Sequence, residues 1–198
     1  TPSTRRKFEY IKLMNIEIAI KNASKELKKN KINSALLDSE LLLSKVIKKD
    51  RKFILLNPDK ELDESTQDSF KDLILKRSRG KPLAYLTGIK SFWKYNFKVN
   101  EKVLIPRPDT EVIIEQILKI YKNKNYLNFL EIGVGSGCIA LSILKEKKSF
   151  LGTGIDLSQD CIEICRYNAK KLDVNNRIKL IKSDVDNLIF RKYDLIVS

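Results

Sequence analysis

The chain has 198 residues, enough for one large domain or two small ones, and its 42% hydrophobic content is ordinary for a packed globular protein. It has no histidine, and its three cysteines, Cys138, Cys161 and Cys165, lack metal-ligand spacing, which excludes a histidine general base and a zinc site. The formal charge of +14 is spread evenly, 19 basic against 12 acidic side chains in residues 1–80 and 20 against 13 in the rest, so it marks either a polyanion-facing surface or merely solvated lysines.

No apolar run reaches the roughly eighteen residues of a membrane span. The basic start has no signal-peptide core, so a cytoplasmic protein is expected. Residues 1–14 read as a loosely held extension containing Arg5, Arg6 and Lys7. From Asn15 onward Ile16, Ala19, Ile20, Ala23 and Leu27 recur at helical spacing. A second helix is expected over residues 35–48, with Ser34 as N-cap and Leu37, Leu41 and Leu42 pointing inward. A short helix over 51–56 stops before the turn signature Asn57-Pro58-Asp59. A fourth, over 64–79, uses Phe70, Leu73, Ile74 and Arg77 and ends at Gly80 with Pro82 behind it. Residues 15–81 thus form a helical N-terminal domain, either a packing module or a substrate-recognition domain.

Residues 82–108 read as a β-hairpin linker. Phe92, Tyr95, Phe97, Val99, Val103 and Ile105 favour strands and Asn100-Glu101 is the expected turn. Pro106 and Pro108 stiffen the chain around Arg107, which places a cation beside a helix start, either to meet a ligand carboxylate or as part of a packing corner. Asp109 or Thr110 caps the next helix, whose apolar face is expected from Val112, Ile113, Ile117, Leu118 and Tyr121.

Leu127, Phe129, Leu130 and Ile132 read as a buried parallel strand, and Ile139, Ala140, Ile143 and Leu144 fall at helical spacing. The stretch Glu131-Ile132-Gly133-Val134-Gly135-Ser136-Gly137 therefore predicts strand, glycine turn, helix. Glycine admits positive φ and close ligand approach, while N–H groups at the helix start attract electron-rich groups. A second β-run ends on Asp156, nineteen residues after Gly137, where an acid can accept both ribose hydroxyls. This order predicts a doubly wound α/β sheet with its ligand across the carboxyl ends of the strands. The G-x-G-x-G spacing behind an acidic Glu131 disfavours a pyrophosphate and puts S-adenosylmethionine, whose amino group Glu131 would help hold, ahead of a nicotinamide cofactor. A turn that only lets a helix pack close to a sheet is the remaining alternative.

Ser158 caps a helix with Cys161, Ile162, Ile164, Cys165 and Ala169 inward. Ile178, Leu180 and Ile181 make a third strand leading to Asp184 and Val185. Asp184 either accepts from an adenine amino group, with Val185 against the ring, or caps a helix. Tyr193 to Val197 reads as a fourth strand.

Three blocks together resemble the release-factor glutamine methyltransferase family. They are Tyr85-Leu86-Thr87-Gly88 with Phe92-Trp93, Leu104-Ile105-Pro106-Arg107-Pro108-Asp109-Thr110-Glu111, and Glu131 through Leu141. The resemblance implies a class I, Rossmann-like S-adenosylmethionine-dependent methyltransferase domain over 109–198, preceded by the helical bundle and the linking hairpin. It implies that Glu131, Ile132, Gly133, Val134 and Gly135 line the cofactor site, that Asp156 holds the ribose, and that Asp184 and Val185 frame the adenine. Arg107 and Phe92 would lie near the substrate. The position of Val185 is often a tryptophan in that family, so the resemblance implies weaker stacking here.

The implied reaction is methylation of a glutamine side-chain amide nitrogen in a peptide-chain release factor, during translation termination. The family's Asn-Pro-Pro-Tyr signature should follow Ser198 directly, so the domain is expected to be the N-terminal part only, without its catalytic substrate loop. No catalytic or metal-binding residue is therefore assigned within the chain. Other readings are an adenine-N6 or tRNA methyltransferase, part of a bifunctional methyltransferase, or a non-catalytic binding module. Nucleic acid is the less favoured partner, and no membrane partner is expected.

Overall fold

A computed structural model describes residues 14–187 and 192–198. The extension expected over residues 1–14 lies outside the described residues except for Met14, whose carbonyl accepts from Leu62 N–H at 3.0 Å. The chain divides into two compact units, Thr1–Thr87 and Gly88–Ser198. No described helix is long and apolar enough to cross a membrane.

In the first unit, α1 (Ile16–Lys29) is capped by Asn15, whose side chain accepts from Ile18 N–H. It packs against α2 (Ala35–Ile47) and α4 (Glu64–Ser78), with α3 (Arg51–Leu56) and α5 (Leu83–Thr87) against α2. Asp50 and Asp63 cap α3 and α4 in the same way as Asn15 caps α1, each accepting an N–H from three residues on. The exposed and buried faces of α2 differ from those its sequence predicts. Leu37 is 43% exposed, and the inward face is Ala35, Asp38, Ser39, Leu42 and Leu43. Asp38 goes inside because Arg77 on α4 meets it with Nε at 2.6 Å, and Glu40 is likewise held by Arg51 Nε at 2.6 Å. Ser34 precedes α2 but makes no side-chain capping bond.

The stretch 82–108 is not one linker. Its first part forms α5, opened by Pro82, whose carbonyl accepts from Tyr85 and Leu86 N–H. The hairpin belongs to the second unit and consists of β1 (Ile89–Phe92) and β2 (Tyr95–Lys98), paired Phe92 to Tyr95. Its turn is Trp93-Lys94 rather than Asn100-Glu101, and Val103 and Ile105 lie outside any strand. The reason is tertiary. Phe92 and Phe97 meet edge-on at 6.1 Å inside the core, while Glu111 Oε1 accepts from Trp93 N–H at 2.8 Å and holds the turn, with Trp93 at φ +55°.

Pro108–Thr110 form a 3-10 turn leading into α6 (Glu111–Ile120), with Arg107 ahead of it and Thr110 making no side-chain capping bond. The buried face of α6 uses Ile114 and Ile117, whereas Val112, expected inward, is 55% exposed.

Among the described residues the larger sheet is four-stranded and parallel, in the order β5 (Ile178–Lys182), β4 (Leu151–Asp156), β3 (Asn128–Ile132), β6 (Leu195–Val197). α7 (Cys138–Glu146) joins β3 to β4 and α8 (Gln159–Lys171) joins β4 to β5. The middle residues of β3 and β4 are buried in unbroken runs, Phe129–Glu131 and 152–155, rather than alternately, as in a parallel sheet covered by helices. Gly152 and Gly154 lie on β4 where a Cβ would stand 2.8 Å from the Phe129 ring and 2.8 Å from Val134. Small residues at those points let β3 and its following loop pack flush on the sheet.

Candidate functional site

The glycine turn follows β3 as expected, and its backbone needs its glycines, with Gly133, Gly135 and Gly137 all at positive φ (72°, 50° and 81°). Val134 N–H donates to Ile155 O at 2.9 Å and Gly137 N–H to Val134 O at 2.7 Å, which folds the loop tightly against the end of β4. A Cβ on Gly137 would lie 2.5 Å from Cys165 Sγ, so α8 sits directly beneath the loop.

Asp156 closes β4 and is clamped by backbone. Its Oδ2 accepts Gly135 N–H at 3.0 Å and its Oδ1 accepts Ser158 N–H at 2.9 Å. Each carboxylate oxygen has a further acceptor site, so the clamp fixes the group without exhausting it. Beside it, Ile132, Gly133, Ile155, Asp156, Leu157, Ser183, Asp184 and Val185 line a cleft of about 190 Å³ across the carboxyl ends of β3, β4 and β5.

The structure thus brings five of the expected residues into one cleft, Ile132, Gly133, Asp156, Asp184 and Val185. Ile155, Leu157 and Ser183 were missed, although the rule that ligands lie at strand ends points to the residues flanking Asp156 and Asp184. Val134 is buried and packs on β4, and Gly135 contributes its N–H to Asp156 rather than a wall of the cleft.

Glu131 has a partner within the protein. It is 2% exposed and its Oε2 accepts Ala140 N–H at 2.8 Å, so a carboxyl group from the end of β3 caps the first turn of α7. Burial pushes its carboxyl up to about 8, with nearby Asp156 adding to the rise and the Ala140 bond opposing it. The same burial, with Glu131 close by, pushes the Cys138 thiol up to about 12, which leaves it an inert neutral thiol at ordinary pH.

Neither residue expected near the substrate lines this cleft. Arg107 is solvent-exposed at the head of the 3-10 turn, its carbonyl accepting from Thr110 N–H at 3.1 Å. Phe92 is 1% exposed and belongs to the core, which corrects the expectation that it meets substrate: an aromatic ring at that place supports the hairpin.

The cleft suits an adenosine group. Carboxylates at the ends of two neighbouring strands offer acceptors to hydroxyls and an amino group, Ile132, Leu157 and Val185 offer apolar surface, and Gly133 opens to solvent with nothing within 4 Å of its Cβ position. Residues 129–198 match the family model described as a methyltransferase domain, and residues 19–88 match the one described as the PrmC N-terminal domain. Fold and site define a Rossmann-like methyltransferase domain of the S-adenosylmethionine-dependent class, preceded by a helical domain.

Among similar proteins, a release factor glutamine methyltransferase of Clostridium botulinum is 38% identical over 87% of this chain and 62% of its own length. One of Caulobacter vibrioides is 36% identical over 89% of this chain and 61% of its own. A bifunctional methyltransferase of Rickettsia conorii is 34% identical over 93% of this chain and 40% of its own length. The chain is thus similar to release factor glutamine methyltransferases over most of its own residues, and it spans between two fifths and two thirds of the length of these relatives.

Proposed function

We propose that this chain supplies the cofactor-binding and substrate-recognition parts of a cytoplasmic enzyme that methylates a glutamine side-chain amide nitrogen in a peptide-chain release factor. The observation that carries this reading is the pairing, in one chain, of a PrmC N-terminal domain with a methyltransferase domain whose glycine turn, Asp156 and Asp184 converge on one cleft.

In this reading S-adenosylmethionine supplies a methyl group activated on a sulfonium. Asp156, held by Gly135 and Ser158 N–H groups, accepts from the ribose hydroxyls. Asp184 accepts from the adenine amino group and Val185 covers the ring, at 44% exposure in the open cleft. Glu131 acts one step back: by capping α7 it fixes where the glycine turn ends and so where the loop N–H groups point. An amide nitrogen is a weak nucleophile, so the chain's contribution to rate is positioning of the methyl donor in line with it. Arg107 on its proline-flanked turn is assigned to the substrate side.

The net charge of +14 and the bifunctional relatives favour a second reading, in which the parent enzyme also methylates nucleic acid. One experiment separates the readings. The native protein that carries these residues is incubated with methyl-labelled S-adenosylmethionine and either a release factor or tRNA, and the products are mapped by mass spectrometry. Label on a release-factor glutamine supports the first reading and label on RNA the second. Binding of cofactor with label on neither identifies a binding module.

A further inference from the structure

Asn168 on α8 is 1% exposed, and its side-chain amide makes three hydrogen bonds to main chain far away in sequence. Its Oδ1 accepts Lys98 N–H at 2.8 Å, and its Nδ2 donates to Lys98 O at 3.0 Å and to Ser136 O at 2.9 Å. The amide has one possible orientation here, because only Nδ2 can serve two carbonyls and only Oδ1 can take an N–H. Val99 N–H donates to Gly88 O at 3.0 Å, so the main-chain groups of Lys98, one residue earlier, face away from β1. One side chain therefore stands where a third strand would pair with the hairpin edge.

The other end of the same amide holds Ser136, 3% exposed, which sits between the glycine whose N–H clamps Asp156 and the glycine that packs on Cys165. Cys165 and Asn168 are three residues apart on α8 and so share a face. That face meets both the glycine loop and the outer edge of the hairpin. We propose that Asn168 is a positioning residue that ties the cofactor loop to the β1–β2 hairpin, so that filling the cleft and ordering the hairpin favour each other. The proposal rests on the reading of the cleft as the S-adenosylmethionine site. No other side chain reproduces the bonding: Asp lacks both donors, Leu lacks every polar atom, and Gln is a methylene too long for a packed position.

The test uses S-adenosylhomocysteine as probe. Wild type, Asn168→Asp and Asn168→Ser are titrated calorimetrically at a temperature where circular dichroism shows each to be folded. The folded variants should bind about tenfold more weakly or worse, the equivalent of one buried polar group left unpaired. A residue with only a structural role would lower the melting temperature and leave the affinity of the folded protein unchanged, and that result overturns the proposal. A second arm needs no variant. In wild type, saturating S-adenosylhomocysteine should slow amide hydrogen exchange in residues 133–137 and also in 89–98, and slowing confined to 133–137 overturns the coupling. Absence of any binding to wild type overturns the reading of the cleft and the proposal with it, whereas binding with unchanged affinity in the variants overturns the proposal alone.

Discussion

Glu131 shows how a single side chain serves both fold and site. Its carboxyl is raised to about 8 by burial, far above the ordinary carboxylate range. Between the unfolded and folded values the native state holds the proton that the unfolded chain releases, so this group's effect on stability becomes less favourable as pH rises from about 4 to about 8. Glu131→Gln keeps an oxygen for Ala140 N–H and removes the titration. The melting temperature of Glu131→Gln relative to wild type should therefore climb between about pH 5 and about pH 9, in thermal melts followed by circular dichroism. A constant difference across that range would show that the wild-type carboxyl titrates normally. The residue type and its place before the glycines were readable from sequence. Its partner was not, because a helix N–H nine residues on becomes the nearest donor only once strand and helix are folded back on each other.

At the scale of elements, the hairpin and the helical bundle each depend on charges that meet across long sequence separations. Glu146 at the end of α7 accepts from Trp93 Nε1 at 2.9 Å and Tyr95 OH at 3.0 Å and pairs with Lys94 Nζ at 3.0 Å. Burial and Glu146 together push the Tyr95 phenol up to about 12. Glu146→Ala should cost about 0.5–1.5 kcal/mol in denaturant unfolding, the usual net worth of a hydrogen bond between partly buried groups. The chain has one tryptophan, so the loss should also shift Trp93 emission to the red, and unchanged emission would show that Glu146 does not hold the turn. In the bundle, Arg77→Met strands Asp38 at 2% side-chain exposure and should destabilise the first unit by about 3–5 kcal/mol. The double variant Asp38→Leu with Arg77→Met should recover much of that loss, since the buried charge is then gone. The exposed pair Lys76–Asp72 is the control and should be worth under about 1 kcal/mol.

For the whole molecule, Trp93 lies in the unit that contains the cleft, so its fluorescence follows the melting of that unit. S-adenosylhomocysteine at a hundred times its dissociation constant should stabilise that unit by about 2.7 kcal/mol and raise its transition by several degrees. No shift at saturating ligand would reject the cleft as the cofactor site. The sequence by itself determined the αβ order, the helical first unit, the glycine turn and the acids at the ends of β4 and β5. These signals are local, carried by periods of 2 and 3.6 residues and by glycines at positive φ. Only the tertiary structure decided that the hairpin turns at Trp93, that Phe92 is core, that Leu37 and Val112 face out, and that Glu131 and Asn168 are internal fasteners. In each case the deciding partner lies on another element, and a buried polar group takes its position from whichever donor or acceptor the packed chain brings within reach.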